Sequence, residues 1–399
     1  MEENKSRESV LTDILELKKP NCLLELPTGF GKTKMSIEKV KSLYTEDMKT
    51  LLIVVPRNIH KKNWADEIEK WWKDCPLEVS YTTYMSFPKH AGKWDFIIFD
   101  ECHHLSERCM EAIDNFAFKN AVLLSATVGN ELKNAFRYKF KSIDFYSVSL
   151  RNAIDEGVLP DPKVFLIPLE LDNKIPSESI WKNKKAKGRL IECSYAERWK
   201  YIRQKTYPVR VYCTQQQYVD DLNSQIDWWK RNYMRTRNQA VKNKWLMLCT
   251  ERLKYLSNLK NPIVKDILSG FRNKRTLTFC CSIEQTEALG KYCINSKNKE
   301  AIKHYEDFNA GKIKHITACN MVNEGLNLVN CQVGIYANLN SSETIVKQRA
   351  GRLLRHKNPV IIIPYFRNTR EQELVDKMLE NYNKELITVV KDVNEIELK

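Results

Sequence analysis

Four short apolar runs constrain the fold of this chain more than any other feature of its sequence. Each run is followed by a polar or glycine-containing turn and then by a stretch with helical spacing, as expected for a buried parallel strand with a crossover helix. The runs are CLLEL (22–26), TLLIVV (50–55), FIIFD (96–100) and AVLLS (121–125). This alternation predicts a doubly wound α/β domain with a parallel sheet.

The same pattern resumes in the second half of the chain. The later runs are TLTFC (276–280), HITAC (315–319), QVGIYA (332–337) and VIIIPY (360–365). Between the two sets, residues 150–164 predict a short helix, a glycine stop and a proline-flanked crossover. We therefore expect a first domain at 1–147, a second domain at 148–173 and 263–399, and an insert at 174–262.

The insert carries most of the chain's net charge of +15. Residues 174–262 contain 20 Lys and Arg against 7 Asp and Glu, together with 12 aromatic residues. Such an excess predicts a polyanionic partner. Two stripes at helical spacing predict an antiparallel pair of amphipathic helices with a small core of their own: Val219, Leu222, Ile226, Trp229 and Tyr233, then Leu246, Cys249, Leu253 and Leu256.

Five basic residues cluster at the predicted tip of this helical pair, where no core explains them. We expect them to contact nucleic acid: Arg231, Arg235, Arg237, Lys242 and Lys244.

Other classes of protein are disfavoured by composition. No apolar run approaches the length of about 20 residues that spans a bilayer, and the first residues lack the layout of a signal peptide. The 12 cysteines include no C-x-x-C pair, so neither a zinc site nor a disulfide framework is expected. We expect a cytoplasmic protein with no membrane partner.

The stretch LPTGFGKTK (26–34) lies between a predicted strand and a predicted helix. Gly29 and Gly31 would permit a tight backbone path, Lys32 would reach the β and γ phosphates of a nucleotide, and the Thr33 hydroxyl would bind magnesium. A complete phosphate-binding pattern has glycine where this chain has Leu26. Taken alone, the stretch is therefore equally compatible with an ordinary turn.

The stretch FIIFDECHH places Asp100 and Glu101 at the carboxyl end of another predicted strand. Ligands bind at this end of a parallel sheet, so both carboxylates should lie near the glycine-containing loop. One could hold magnesium through water while the other orients and deprotonates the attacking water. The alternative is an acidic pair at a helix N-terminus. The presence of both strand-to-loop junctions, LPTGFGKTK and FIIFDECHH, in one chain favours a nucleotide site over these alternatives.

The stretch QRAGRLLR spaces Arg349, Arg352 and Arg355 three residues apart, on one side of a predicted helix. By themselves these arginines could form a solvated basic face or contact a phosphate backbone. An arginine supplied by a second domain can also neutralise charge on a transferred phosphoryl group, which couples domain closure to hydrolysis.

Together these segments resemble the motifs of superfamily 2 helicases, in family order. PTGFGKT (27–33), DECH (100–103), SAT (125–127) and QRAGRLLR (348–355) are similar to motifs I, II, III and VI. Fainter similarities are VVPRNIHKKNW to motif Ia, TTYMSF to Ib, TFCCS to IV and NEGLNL to V. The closest resemblance is to the branch that contains phage repair helicases of the UvsW kind, type III restriction motor subunits and SWI/SNF-type translocases.

The resemblance implies two tandem RecA-like domains, with ATP and Mg²⁺ bound in the cleft between them. ATP would be bound by Pro27, Thr28, Gly29, Phe30, Gly31, Lys32, Thr33, Gly325 and Asn327. Thr33 and Asp100 would hold the metal, and the catalytic set would be Lys32, Asp100, Glu101 as general base, Gln348, and the arginine fingers Arg352 and Arg355. Coupling would involve His103, Ser125, Ala126 and Thr127. Nucleic-acid contacts by resemblance would be Arg57, Thr83 and Ser282.

Three functions remain open from the sequence. The first is an ATP-dependent DNA helicase or translocase in replication, recombination or repair, compatible with a monomer and with a phage origin. The second is an RNA helicase, because both domains of such motors hold phosphates rather than bases. The third is a DNA-binding or annealing protein whose ATPase is vestigial.

Overall fold

The computed structural model describes residues 6–319, 328, 330–340 and 343–396. The strands are β1 (Asn21–Glu25), β2 (Thr50–Val55), β3 (Glu78–Thr83), β4 (Gly92–Phe99), β5 (Phe116–Ser125), β6 (Ile143–Ser147), β7 (Lys163–Leu169), β8 (Glu178–Lys182), β9 (Ile191–Ser194), β10 (Val209–Cys213), β11 (Thr276–Phe279), β12 (Cys293–Ile294), β13 (His315–Ala318), β14 (Val333–Tyr336), β15 (Val360–Phe366) and β16 (Ile387–Val389).

The helices are α1 (Arg7–Leu15), α2 (Lys32–Leu43), α3 (Asn58–Trp71), α4 (Glu107–Ala112), α5 (Asn130–Lys139), α6 (Leu150–Asp155), α7 (Arg198–Ile202), α8 (Gln215–Thr236), α9 (Gln239–Leu259), α10 (Asn261–Gly270), α11 (Ile283–Leu289), α12 (Ala301–Asn309), α13 (Glu343–Leu353) and α14 (Arg370–Leu379). Short 3₁₀ helices lie at Phe87–His90, Cys102–His104, Ile113–Asn115, Lys384–Leu386 and Val393–Glu395. Within the described ranges, no helix combines the length and apolar character needed to cross a bilayer.

The first sheet is parallel throughout, in the order β3-β2-β4-β5-β1-β6. The four strands predicted from apolar runs are its four central strands, which are buried on both faces and therefore carry near-continuous apolar sequence. β3 and β6 lie at the edges, and most of their residues are only partly buried. Because edge strands need no continuous apolar run, the sequence patterns did not predict them as strands.

The second sheet is also parallel, in the order β12-β13-β11-β14-β15-β7-β16. Its predicted strands β13, β11, β14 and β15 again form a contiguous centre. β7 pairs with β15, so the chain enters the second sheet before the insert begins. We propose 1–147, 148–173 with 263–399, and 174–262 as the domain division; its last border falls within α10, which begins at Asn261.

The insert contains the predicted helical pair, formed by α8 and α9, and also a small sheet that was not predicted. In this sheet β10 pairs antiparallel with β8 and parallel with β9. These strands are four or five residues long with alternating burial, too short to stand out in the sequence.

The stripe predicted for α9 was wrong at Leu246, which is exposed, whereas Leu248 is buried. Four consecutive apolar residues, 245–248, leave the phase of this helix undetermined by spacing.

A buried ion pair fixes the base of the helical pair to the second domain. Lys260 Nζ donates to Glu371 Oε1 over 2.6 Å, and the other carboxylate oxygen accepts from the Phe366 amide over 3.1 Å. Lys260, which follows α9, is fully buried. The contact joins the end of the hairpin to the start of α14 and the end of β15.

Candidate active site

The loop between β1 and α2 has the backbone path that a phosphate site requires. Gly29 has φ +91° and Gly31 has φ +101°, both in the left-handed region that favours glycine. Gly31 precedes the first turn of α2 and provides no side-chain cap. The first amide groups of this 12-residue helix therefore lack intrahelical acceptors, and together with the helix dipole they favour an anion.

A cavity of about 730 Å³ opens beside this loop. Its volume lies within the usual range for a bound nucleotide or cofactor. The lining comes from both domains, with the loop and α2 on one side and two arginines, Arg352 of α13 and Arg355 just after it, on the other. It comprises Arg7, Glu8, Leu11, Thr28, Gly29, Phe30, Gly31, Lys32, Thr33, Lys34, Met35, His60, Asn63, Trp64, Asp66, Glu67, Trp71, Asp100, Glu101, Arg352 and Arg355.

Asp100 lies at the end of β4 and is held from two sides. Trp64 Nε1 donates to Asp100 Oδ2 over 2.9 Å, and the Tyr84 hydroxyl donates to the Asp100 carbonyl over 2.7 Å. Burial, assisted by the neighbouring Glu101 charge, raises the pKa of Asp100 to about 6. A nearby cation would favour its ionised form.

Glu101 has a different environment one residue later. Its φ of +50° is unusual for a residue with a side chain and turns the chain sharply after β4. Burial raises the pKa of Glu101, but the positive charges of Lys32, His103 and Arg352 outweigh it, so the net pKa is lowered. Lys32 Nζ lies 3.5 Å from Glu101 Oε1. Two adjacent carboxylates with opposite pKa shifts suit two separate roles.

The residues present fit a magnesium nucleotide. The Thr33 hydroxyl and the Asp100 carboxylate supply the hard oxygen ligands that Mg²⁺ prefers. The hydroxyl oxygens of Thr28 and Thr127 are buried and find no hydrogen-bond partner among the described residues. A bound nucleotide supplies a scissile phosphoanhydride and several anionic oxygens, toward which Lys32 and the α2 amides would donate.

His103 links the second and third motifs. Its Nδ1 lies 3.0 Å from Ser125 Oγ and 3.4 Å from Glu101 Oε2. The Ser125 hydroxyl in turn donates to the Thr127 carbonyl over 2.9 Å. A change in the position or charge of Glu101 can therefore be transmitted to Thr127 through the side chains of His103 and Ser125. Ala126, between them, is buried.

The three arginines of the QRAGRLLR stretch do not share one environment. Arg352 and Arg355 line the cavity, as the finger prediction requires. Arg349 is buried in the second domain, where it donates to the Asn338 carbonyl over 3.1 Å and lies 5.0 Å from the centre of the Phe279 ring. Spacing of three residues advances 300° around a helix, so the members of such a series diverge in direction.

The two domains touch closely at this site. A Cβ atom at Gly351 of α13 would lie 2.2 Å from Thr28 Cβ and 2.7 Å from the Thr28 carbonyl oxygen. Arg7 Nη2, from α1, donates to the carbonyl groups of Gly29 and Val158 over 3.3 Å each. The loop is thus enclosed by α1 and α13.

Three predicted residues have no structural account. Gly325 and Asn327 lie outside the described residues. Gln348 lies in α13, but its side chain is also outside the described part.

The face of α3 toward the cavity was not predicted from the sequence. Five residues at helical spacing on α3 line the cavity: His60, Asn63, Trp64, Glu67 and Trp71. Burial lowers the pKa of His60. The repeat at 60, 64, 67 and 71 was the available signal, but it also fits an ordinary helix face packed on a sheet.

The predicted nucleic-acid contacts of the core lie at carboxyl ends of strands. Arg57 follows β2 and is exposed, and Thr83 ends β3. Ser282 follows β11, is buried and caps α11 by accepting from the Gln285 amide over 3.2 Å. In the insert, Arg231 and Arg235 lie on the last turns of α8, and Arg237 directly follows that helix. The remaining two tip residues, Lys242 and Lys244, lie on α9.

Two family models match the chain. The model for the helicase conserved C-terminal domain matches residues 259–357, and that for the res subunit of type III restriction enzymes matches residues 1–86. No curated protein matches the chain.

Solved structures show the same fold at low sequence identity. The Pyrococcus furiosus Hef helicase domain is 14% identical with a TM-score of 0.51, covering 93% of this chain and 97% of that one. A putative HsdR subunit of a type I restriction enzyme from Vibrio vulnificus is 17% identical with a TM-score of 0.55, covering 98% and 69%. S. cerevisiae Dbp5 bound to RNA and ADP BeF3 is 12% identical with a TM-score of 0.59, covering 97% and 89%.

The family models fall on opposite sides of the cavity, one on the phosphate loop and one on the arginine helix. The residues between them fit ATP and Mg²⁺. The chain thus carries a helicase-related family model in each of its two RecA-like domains, which supports an ATP-hydrolysing helicase of superfamily 2.

Proposed function

We propose that this enzyme is a DNA helicase or translocase that couples ATP hydrolysis in the interdomain cavity to movement along DNA or remodelling of it. The observation that carries the proposal is the concentration of positive charge in residues 174–262, outside the nucleotide cavity. Phosphate contacts by such residues are independent of sequence, which suits a motor that moves along its track. A role in replication, recombination or repair, a phage origin and a cytoplasmic location complete the proposal.

DNA is favoured over RNA by the names of two matches. Both the type III res subunit and the HsdR protein are described as restriction-enzyme subunits, a class defined by action on DNA. A second candidate function, an RNA helicase, is favoured by the likeness to Dbp5 solved with RNA. The third alternative, a vestigial ATPase, would not need Lys32, Asp100 and Glu101 assembled in one cavity.

The test is phosphate release from ATP in the presence of single-stranded DNA, duplex DNA, forked DNA or RNA. We expect strong stimulation by one of the DNA substrates and its loss in Glu101→Gln, which keeps the side chain's size but cannot act as a base. Stimulation by RNA alone would favour the second candidate. Absence of hydrolysis with every polymer would overturn the proposal.

The tip of the α8–α9 hairpin gives a second test, of track binding. Replacing Arg231, Arg235 and Lys242 with Gln should weaken DNA binding and flatten its salt dependence, with a change in slope of about 0.7–0.9 for each phosphate that is no longer neutralised. Arg237 has φ +51°, so Asn is the suitable replacement there. An unchanged salt slope would remove the tip from the DNA-binding surface.

A further inference from the structure

The small sheet of the insert has one covered face and one open face. On the covered side, Ile180, Val211 and Cys213 are buried, and Lys182 forms an ion pair of 2.9 Å with Asp221 of α8. Strand alternation sends the intervening residues to the opposite side.

The open face presents aromatic rings at adjacent positions. Trp181 on β8 is paired in register with Arg210 on the central strand β10, and Tyr212 lies two residues further along β10. The exposed fractions are 41% for Trp181 and 37% for Tyr212, high for such large side chains. Diagonal neighbours of this kind lie about 7–8 Å apart on a sheet.

A cation lies close to both rings. The Arg210 guanidinium carbon is 5.7 Å from the centre of the Trp181 ring and 5.0 Å from that of Tyr212. Lys184 Nζ is also within 5.9 Å of the Trp181 ring centre. Aromatic and cationic groups therefore adjoin one another across the face.

The segment that contains this face is strongly basic. Between residues 181 and 210 there are 10 Lys and Arg and only 2 Asp and Glu. Several of the basic residues are exposed, among them those at positions 185, 187, 189, 203 and 205. One of the two acids, Glu192, lies on the face itself, where it accepts from the Tyr212 hydroxyl over 2.8 Å and lies 3.4 Å from Arg210.

We propose that the open face of β8, β9 and β10 is a binding site for single-stranded nucleic acid, in which bases stack on Trp181 and Tyr212 and phosphates contact Arg210 and Lys184. Exposed aromatic rings on an open sheet are platforms on which unpaired bases stack, and a basic border follows the backbone. A duplex has its bases already stacked, so it fits this face less well. The site is separate from the hairpin tip and from the nucleotide cavity. It rests on the proposed function and deepens it by giving the motor a place for a displaced strand.

Replacement of Glu192 should increase the affinity for single strands, a result that loss of a merely structural residue would not produce. The Glu192 carboxylate neutralises Arg210 and repels phosphate, so Glu192→Gln should tighten binding of single strands by about 2- to 5-fold. Trp181→Ala and Tyr212→Ala should each weaken it by about 5- to 100-fold. Tyr212→Phe keeps the ring and should retain affinity. Tyr138→Ala, at an exposed aromatic of the first domain, is the matched control and should have no effect.

The experiment is fluorescence anisotropy of a labelled oligothymidylate with the full chain and no ATP, with duplex DNA, oligouridylate and an acidic polypeptide as competitors. Photocrosslinking of a halogenated oligonucleotide should place adducts on Trp181 or Tyr212. Unchanged affinity in both alanine variants with normal thermal unfolding, stronger competition by duplex, or competition by the polypeptide alone would overturn the proposal. Because binding is measured without ATP, a failure here is distinguishable from a failure of nucleic-acid-stimulated hydrolysis.

Discussion

Trp64 donates its indole N–H to the Asp100 carboxylate over 2.9 Å, which ties helix α3 to the end of strand β4 inside the nucleotide cavity. The hydrogen bond lowers the pKa of Asp100 and so opposes the larger effect of burial. Trp64 therefore acts as a positioning residue for the carboxylate that is expected to hold magnesium. The indole also places a fluorophore in contact with that carboxylate.

Trp64→Phe should reduce the apparent affinity for Mg²⁺ and shift the pH dependence of hydrolysis upward. Asp100 must be ionised to hold the metal, and its pKa is about 6, so activity should fall as the pH drops through that value. Loss of the donor raises this pKa further. Hydrogen bonds to charged groups contribute about 1.5–3 kcal/mol, so at a pH below the pKa of Asp100, where protons compete with the metal, the Mg²⁺ requirement should increase about 10- to 100-fold. Phosphate release measured over Mg²⁺ and pH checks this, and an unchanged pH profile would contradict it.

Asp100→Asn should abolish hydrolysis and stabilise the nucleotide-free protein at pH 8. The folded-state pKa of Asp100 is raised from 3.8 to about 6, so the stability that its protonation provides is present below pH 4 and is lost as the pH rises through 6. Removing the charge should recover about 1–3 kcal/mol at pH 8 and nothing at pH 3.5. Thermal unfolding at the two pH values measures the difference.

Asp95→Asn is the matched control for that measurement. Although burial raises the pKa of Asp95, the Lys49 amide and Lys119 outweigh it and leave its pKa lowered. Its ionised form therefore stabilises the fold above the ordinary pKa, and this stability is lost as the pH falls. Asp95→Asn should lower the thermal midpoint at pH 8, opposite in sign to Asp100→Asn. The same sign in both variants would contradict the assignment.

Gly351→Ala should impair hydrolysis without unfolding either domain. The added Cβ would lie 2.2 Å from Thr28 Cβ, so α13 could not approach the phosphate loop as it does here. Alanine is the better helix former by about 1 kcal/mol, so any loss of activity must come from that contact. Gly129→Ala, which meets nothing within 4 Å, is the control. Equal phosphate release rates for the two variants would show that this approach is not needed.

Arg349→Lys and Arg352→Lys should have different consequences although both residues lie on α13. Arg349 is buried against Phe279 and the Asn338 carbonyl, which a lysine cannot match in shape, so its replacement should cost about 2–4 kcal/mol of stability. Arg352→Lys should leave the thermal midpoint close to that of the parent and reduce hydrolysis. Thermal unfolding and phosphate release on both variants separate the two roles. An equal fall in the two thermal midpoints would contradict them.

The sequence predicted the centre of each sheet because those strands are buried on both faces and carry uninterrupted apolar runs. It also predicted that the loop at 26–34 lies beside Asp100 and Glu101, because the carboxyl ends of parallel strands meet at one edge of a sheet. It did not predict the α3 face, since Trp64 and His60 look like ordinary core residues until the cavity is seen. The sheet of the insert was missed because two or three inward residues in each strand are too few to show a period.

The buried pair of Lys260 and Glu371 has a mechanical consequence. It fixes the base of the α8–α9 hairpin to the second domain, so we expect the hairpin to rotate with that domain as one rigid unit. A helix of 22 residues is about 33 Å long, and a rotation of about 10° at this base would sweep the tip through about 6 Å. A small change in the cleft would thereby become a displacement large enough to pull on a strand held at the far end.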